Sequence, residues 1–480
     1  MKAKFLRLLI LSSFLVTGCS AEDLMFWKKK NNEPEQQENE DEAPQGGEQT
    51  PEQDPYLKKT VSVRMEALLK GDNSLYSVDY EYDDKLFLKD AEEYDKDLSL
   101  LSFGAAISGT YKNWVEGFLR DCEFEDTLTH DLDEEPTKDT LGYALAHKSI
   151  DDNELFSLIV RGHEYKREWE NNFIIGETGD HEGWSTRASE LYVALSSYIN
   201  EYKGEKTVKL WIVGYSRAGA ISNILSSLIF KGNGFSVNAK NMYVYTFEAP
   251  SGLIREHAEP YKNVHNIVNS ADIVTYIPPK QYDFYRAGVD FEIYDMNFGT
   301  YVANFDNSLS VPAWVPCDKT DFNNTEITND VEFAQYLIDD IFKEYADETV
   351  SAHTRELYVA NYQSGLSYAI GLLLGLSGTT RSQLMADLQS NPMNMLVFFD
   401  TTGVAIADFL KTYLDRDNLT YDYDELVVAC AKLSLAVQSI FSGILSIYIG
   451  GKYTNNLTRV LDMHYPEVTY CLLKNAHSKL

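Results

Sequence analysis

The feature that most constrains this chain is the run from Val208 to Phe230. Val208-Lys209-Leu210-Trp211-Ile212-Val213 reads as a buried strand, and Arg217 to Phe230 carries apolar residues at helical spacing. Only Gly214, Tyr215 and Ser216 lie between them. The backbone must therefore pass from strand to helix through one sharp turn with Ser216 at its apex. Such a turn strains the backbone at the Ser and lifts its Oγ above the end of the sheet. Small residues two before and two after the Ser let strand and helix approach. Gly214 supplies the first and Ala218 the second, where Gly is usual. The start of the helix also favours negative charge developing beside it. Ser216 is thus a candidate nucleophile. A Gly-Ser turn without chemistry is the plain alternative, since the short motif alone is common by chance.

The surroundings suit the chemical reading. Asp97 to Leu119 has apolar residues at helical spacing, Tyr143–Ile150 and Leu155–Val160 read as strands, and Ser185–Ile199 reads as a helix. Strands over Met242–Phe247 and Val264–Val268 follow. The alternation predicts an α/β fold with a mostly parallel sheet flanked by helices, spanning residues 57–290. After Phe291 the pattern changes. Residues 291–350 are polar and aromatic, and 355–450 read as apolar helices. Leu366–Leu376 is too short for a membrane span, and Leu433–Ile449 carries Gln438 and several Ser, so both are expected as core or lid helices. A mainly helical cap insert over 291–445 is expected, with 446–480 returning to the core.

The N-terminus reads as an export signal. Lys2, Lys4 and Arg7 precede a short apolar run, Leu8–Val16, far below the about twenty residues a bilayer span needs. Leu15-Val16-Thr17-Gly18-Cys19 resembles the lipobox of bacterial lipoproteins, which implies cleavage after residue 18 and a diacylglyceryl group on Cys19. Residues 19–56 then form a lipidated Cys and an acidic linker with too little apolar surface to order itself. The expected location is lipid-anchored and extracytoplasmic. The formal net charge of −32 argues against nucleic acid as a partner. Cys122, Cys317, Cys430 and Cys471 show no C-x-x-C spacing. Disulfides among them are open, and their pairing is not readable from spacing. His163, His181 and His265 lack ligand spacing, so neither a metal nor a cofactor is expected.

Several short motifs, taken in order, resemble the class 3, or fungal-type, lipases of the α/β-hydrolase fold. Gly214-Tyr215-Ser216-Arg217-Ala218-Gly219-Ala220 is similar to that family's G-H-S-x-G-G-A, with Tyr215 where His is usual. Leu158-Ile159-Val160-Arg161-Gly162-His163 resembles its strand ending in R-G-T. Trp169 lies near its D-W, with Glu168 for the Asp. His181-Glu182-Gly183-Trp184 resembles H-x-G-F, and Thr246-Phe247-Glu248-Ala249-Pro250 resembles T-F-G-x-P with Glu248 for Gly. Asn269-Ser270-Ala271-Asp272-Ile273-Val274 resembles N-x-x-D-x-V, which carries the catalytic acid. The resemblance covers about 140 to 280, with a short return near 464.

In this fold the chain order is Ser, then acid, then His. Asp272 is the expected acid, with Glu248, Asp283 and Asp290 as rivals and a simple turn-forming Asp as the bland reading. Of the nine His, only His353, His464 and His477 follow it. His464 is the expected base, because it precedes a final helix-like stretch, as the family's late His does. The oxyanion hole is expected from the backbone N–H groups of Arg217 and His163. The insert must leave and rejoin the catalytic face, so Leu372, Leu373, Phe398 and Phe399 are expected on an acyl-binding wall. A structural subdomain that never meets substrate is the alternative. The expected function is hydrolysis of carboxylic esters, of lipid or other acyl type, through a serine acyl-enzyme. A carbohydrate-ester or thioester hydrolase on the same triad, or an inactive lipid- or glycan-binding surface protein, are the alternatives. Oligomeric state is not readable.

Overall fold

The computed structural model describes residues 58–66, 75–133, 139–162, 166–232, 235–270, 272–278, 282–293, 355–390, 400–440 and 463–476, together with 137 and 397. The frame is a seven-stranded sheet in sequential order. Its strands are β3 (Glu125–His130), β4 (Tyr143–Ile150), β5 (Asn153–Val160), β6 (Thr207–Tyr215), β7 (Met242–Phe247), β8 (Val264–Val268) and β9 (Val289–Glu292). β3, β4 and β5 pair antiparallel, and β5 to β9 pair parallel. This is the α/β-hydrolase arrangement, a mostly parallel sheet with helices on both faces.

Both faces of the sheet are covered, which explains the unbroken apolar run of β6. Trp211, Val213 and Tyr215 point to one face, among α1 (Lys96–Ser108), α2 (Lys112–Asp121) and the C-terminal helix α10 (Pro466–Ala476). Leu210 and Ile212 point to the other, against α3 (Glu182–Tyr202) and α4 (Arg217–Gly232). The first face also receives an antiparallel hairpin, β1 (Lys59–Glu66) and β2 (Leu75–Tyr82), which lays Val61, Val63 and Met65 on it. The helical pattern read over Asp97–Leu119 is two helices. The first ends where the Thr110 hydroxyl donates to the Ile107 carbonyl at 2.7 Å, and Tyr111 starts the second in extended backbone.

The later helices form a body with its own core. α5 (Arg355–Tyr358) runs through a π turn into α6 (Ser364–Gly375), followed by α7 (Gly378–Ser390), α8 (Val404–Arg416) and α9 (Tyr423–Ile440). Leu376, Ile406, Leu410, Leu414 and Leu426 make that core. A second stripe on α6, Leu366, Ile370 and Leu374 at four-residue spacing, packs with Tyr358 against Phe173, Ile175, Tyr282 and Phe284 of the sheet domain. Leu372 and Leu373, expected on an acyl-binding wall, pack against the insert's own core instead. At 100° per residue Leu372 lies about 120° from Leu366 and off the stripe that faces the sheet domain, whereas Leu373 lies about 20° from Leu366 at the edge of that stripe. Phe398 and Phe399 lie outside the described residues. No described helix is long and apolar enough to cross a membrane. Cys122 and Cys430 are buried free thiols, and burial pushes each up to about 12.

Candidate active site

Ser216 stands between β6 and α4 with φ +56°, the left-handed backbone expected of the turn, and its N–H donates to the Phe247 carbonyl at 2.7 Å. Two glycines make this geometry possible. A Cβ on Gly214 would lie 2.4 Å from the Ala218 carbonyl oxygen, and one on Gly162 would lie 2.0 Å from the Tyr215 carbonyl oxygen. The end of β5 therefore rests directly on the elbow. Ala218 is fully buried and fits where Gly is usual.

Asp272 follows β8 and is fully buried. Its two oxygens divide the work. Oδ1 accepts from the Val274 N–H at 2.9 Å and caps the short helix Ile273–Tyr276, while Oδ2 lies 2.6 Å from His464 Nδ1. The turn-forming role and the role beside the His are thus both filled by one carboxylate. His464 Nε2 lies 2.8 Å from Ser216 Oγ. A single imidazole therefore bridges hydroxyl and carboxylate, with its side chain 17 % exposed. Of the rival acids, Asp283 accepts from the Tyr285 hydroxyl and Asp290 pairs with Arg286. His353 and His477 lie outside the described residues.

The segment carrying His464 is anchored by residues whose roles the sequence did not suggest. The Tyr215 hydroxyl donates to the His464 carbonyl, and Asn269 Nδ2 donates to the Met463 carbonyl at 3.0 Å. Tyr215 occupies the position before the nucleophile where the lipase motif has His, so the replacement acquires a reason in the contact it makes. Burial, with Glu248 nearby, pushes the Tyr215 phenol well above its ordinary value and keeps it a hydrogen-bond donor.

A buried ion cluster lies beside the nucleophile. Glu168 is fully buried and takes Arg161 on one carboxylate oxygen and Arg217 on the other, the latter at 2.5 Å. Arg161 follows the end of β5 just before Gly162, and Arg217 opens α4 just after Ser216. Glu168 therefore clamps together the two backbone segments predicted to supply oxyanion donors. The departure from Asp in the D-W pattern was visible, but its two partners were not. The N–H of Arg217 stands at the first position of a helix, where no carbonyl of that helix can accept from it. His163 lies outside the described residues. His181 and His265 sit apart, on the start of α3 and on β8, each buried. Desolvation pulls them down to about 3 and about 4, so both are neutral side chains facing backbone carbonyls, Asn172 at 3.3 Å and Ala91 at 3.0 Å.

An α/β-hydrolase sheet, a strained Ser at a strand–helix elbow, and a His between that Ser and a buried Asp define the class of a serine ester hydrolase. Residues 157–282 match the family model of the class 3 lipases, a stretch that contains Ser216 and Asp272 and stops before the insert. Among solved structures the chain is similar to the triacylglyceride lipase of Rhizomucor miehei, at 19% identity and TM-score 0.31, over 42% of this chain and 80% of that one. It is also similar to lipase II of Rhizopus niveus, at 15% identity and TM-score 0.31, over 49% of this chain and 84% of that one. The lipase of Rhizopus microsporus var. chinensis is similar at 15% identity and TM-score 0.31, over 42% and 75% of the two chains. No curated protein sequence matches the chain.

Proposed function

We propose that this chain is a lipid-anchored, extracytoplasmic hydrolase of acyl esters, working through a Ser216–His464–Asp272 triad. The observation that carries the catalytic reading is the unbroken path Ser216 Oγ, His464 imidazole, Asp272 carboxylate, at 2.8 and 2.6 Å. Ser216 Oγ attacks the ester carbonyl carbon while His464 Nε2 takes the hydroxyl proton. Asp272 holds the Nδ1–H tautomer and offsets the positive charge of the imidazolium. The carbonyl oxygen becomes an oxyanion, and the Arg217 N–H donates to it. His464 returns the proton to the departing alcohol, which leaves an acyl group on Ser216. Water, deprotonated by the same imidazole, then releases the carboxylic acid and restores the Ser hydroxyl.

An acyl ester is favoured as substrate by the class 3 lipase match around Ser216 and Asp272. Anchoring rests on the Leu15–Cys19 motif, which would acylate Cys19 and leave an acidic tether between membrane and enzyme. The test is labelling by a fluorophosphonate probe, then turnover of esters of rising acyl length. Ser216→Ala should abolish labelling and lower kcat by on the order of 10^6-fold with the fold retained. Asp272→Asn should cost roughly 10^4-fold. An unlabelled protein that binds esters without turnover would remove the enzymatic reading. A mature protein beginning upstream of Cys19 would remove the anchor alone.

A further inference from the structure

The base of the triad arrives on a segment far along the chain from both its partners. His464 follows Ser216 by 248 residues and Asp272 by 192. It stands on the turn that opens into α10, so what holds that turn decides where the imidazole lies. The first carbonyl that α10 uses is that of Tyr465, which accepts from the Val468 and Thr469 N–H groups at 3.0 and 3.1 Å. The carbonyls of Met463 and His464 therefore fall outside the helix's own bonding. Each is met by a side chain of the sheet domain. Asn269 Nδ2 donates to the Met463 carbonyl at 3.0 Å, and the Tyr215 hydroxyl donates to the His464 carbonyl. These two residues are chain neighbours of the two that meet the ring. Tyr215 directly precedes Ser216, and Asn269 stands three before Asp272. The end of β6 and the turn after β8 thus each hold the His464 segment twice, by ring and by main chain.

The hold from β6 is rigid. Tyr215 is buried, with its ring edge-on to Phe103 at 6.1 Å and tilted against His464 at 5.4 Å between centroids. Gly162 packs on its main-chain carbonyl with no room for a Cβ, and the next N–H, that of Ser216, donates to the Phe247 carbonyl. The phenol oxygen and Ser216 Oγ therefore belong to one short, fixed piece of backbone. On the other side, Glu248 accepts from the Asn269 N–H at 2.8 Å and from the Thr469 hydroxyl at 3.1 Å, which ties the turn after β8 to α10. We propose that Tyr215 is a positioning residue for the base: its hydroxyl holds the His464 main chain where the ring can span Ser216 and Asp272, with Asn269 as its companion. The proposal rests on the triad reading given above. The place of the base is then set from β6 and β8, and not by the insert that separates it from Asp272 in the chain.

The test compares kcat and KM on a short ester, the rate of fluorophosphonate labelling, and Tm. The proteins are the full chain and its Tyr215→Phe, Asn269→Ala, Tyr243→Phe and His464→Ala variants. Tyr215→Phe removes one hydroxyl and keeps the ring against Phe103. Well below melting it should lower kcat and the labelling rate by about 10- to 100-fold, because a slackened main chain lets the imidazole drift from the hydroxyl it must deprotonate. KM should stay within about 2-fold, since the substrate contacts are untouched. Tyr243→Phe is the matched control. The Tyr243 hydroxyl donates to the Phe87 and Lys89 carbonyls, each at 2.6 Å, at the end of β7 away from the elbow. Its loss should lower Tm and leave kcat unchanged. A Tyr215→Phe protein that loses Tm in the same way but keeps kcat and labelling rate would overturn the proposal. A raised KM with unchanged kcat would overturn it too, by placing the phenol in substrate binding. Should Tyr215→Phe fail to fold, Asn269→Ala decides by the same split, a fall in kcat in favour and an unchanged kcat against. A fully active His464→Ala would sink the triad reading and the proposal with it, whereas an unchanged Tyr215→Phe beside an inactive His464→Ala would sink the proposal alone.

Discussion

Replacing Glu168 by Gln tests whether the clamp beside the nucleophile supports both fold and chemistry. The substitution removes a charge and nearly conserves volume, so packing contributes little to the outcome. Glu168 is wholly buried, and Arg161 and Arg217 are only 2% and 1% exposed. Two charge-assisted hydrogen bonds are weakened, each worth about 1.5–3 kcal/mol. Two guanidinium groups then lose the Glu168 charge, and breaking a buried pair in this way costs about 3–5 kcal/mol. The two routes overlap at about 3–5 kcal/mol. At about 2 °C per kcal/mol for a large domain, Tm should fall by about 6–10 °C. The clamp joins the residue before Gly162 to the residue after Ser216, so the elbow should loosen as well. At a temperature well below melting, kcat should fall by about 10-fold or more with KM little changed. Calorimetry and ester turnover on the same preparation give both numbers. A Tm within about 2 °C of the parent would refute the reasoning, because it would mean that solvent or another anion already neutralises the arginines.

Three further outcomes follow from particular contacts. Gly162→Ala would drive a Cβ to 2.0 Å from the Tyr215 carbonyl, so it should cost at least about 1–3 kcal/mol and lower kcat, read by melting and turnover. Arg355 donates to the carbonyls of Gly176, Gly179 and Ile175 at 2.6, 2.8 and 3.0 Å, and so fastens the insert to the sheet domain. Arg355→Ala should cost about 2 kcal/mol and speed proteolysis within the insert, and unchanged cleavage would place the fastening elsewhere. His181 is neutral when folded, with a value of about 3, and charges near 6.5 when unfolded, so unfolding takes up a proton between those values. Its contribution is full above about pH 6.5 and is lost as pH falls through that window, at about 1.4 kcal/mol per unit. His181→Phe should therefore show a shallower fall of stability between pH 6 and pH 4 than the parent, and equal slopes would show that the ring is already charged in the fold.

Much of the sheet could be read from local pattern. β6 and α4 flank a gap too short for anything but a sharp turn, and β5 to β8 are apolar because helices cover both faces. The hairpin β1–β2 was missed although Val61, Val63 and Met65 alternate with polar residues, a period-2 signal that needed only to be counted. The face chosen by α6 was not legible, since Leu372 and Leu373 belong to an almost continuous apolar run in which either stripe could face the sheet domain.

By itself the sequence determined the elements and nominated Ser216, Asp272 and His464, because a strand–turn–helix and a motif order are local properties of the chain. Only the tertiary structure decided that Glu168 has two arginines, that Tyr215 holds the His464 carbonyl, and that Glu248 takes the Asn269 N–H and the Thr469 hydroxyl. These are contacts between segments distant in sequence, and whether a buried charge is paired, shared or neutral depends on what packs against it, which no local pattern records.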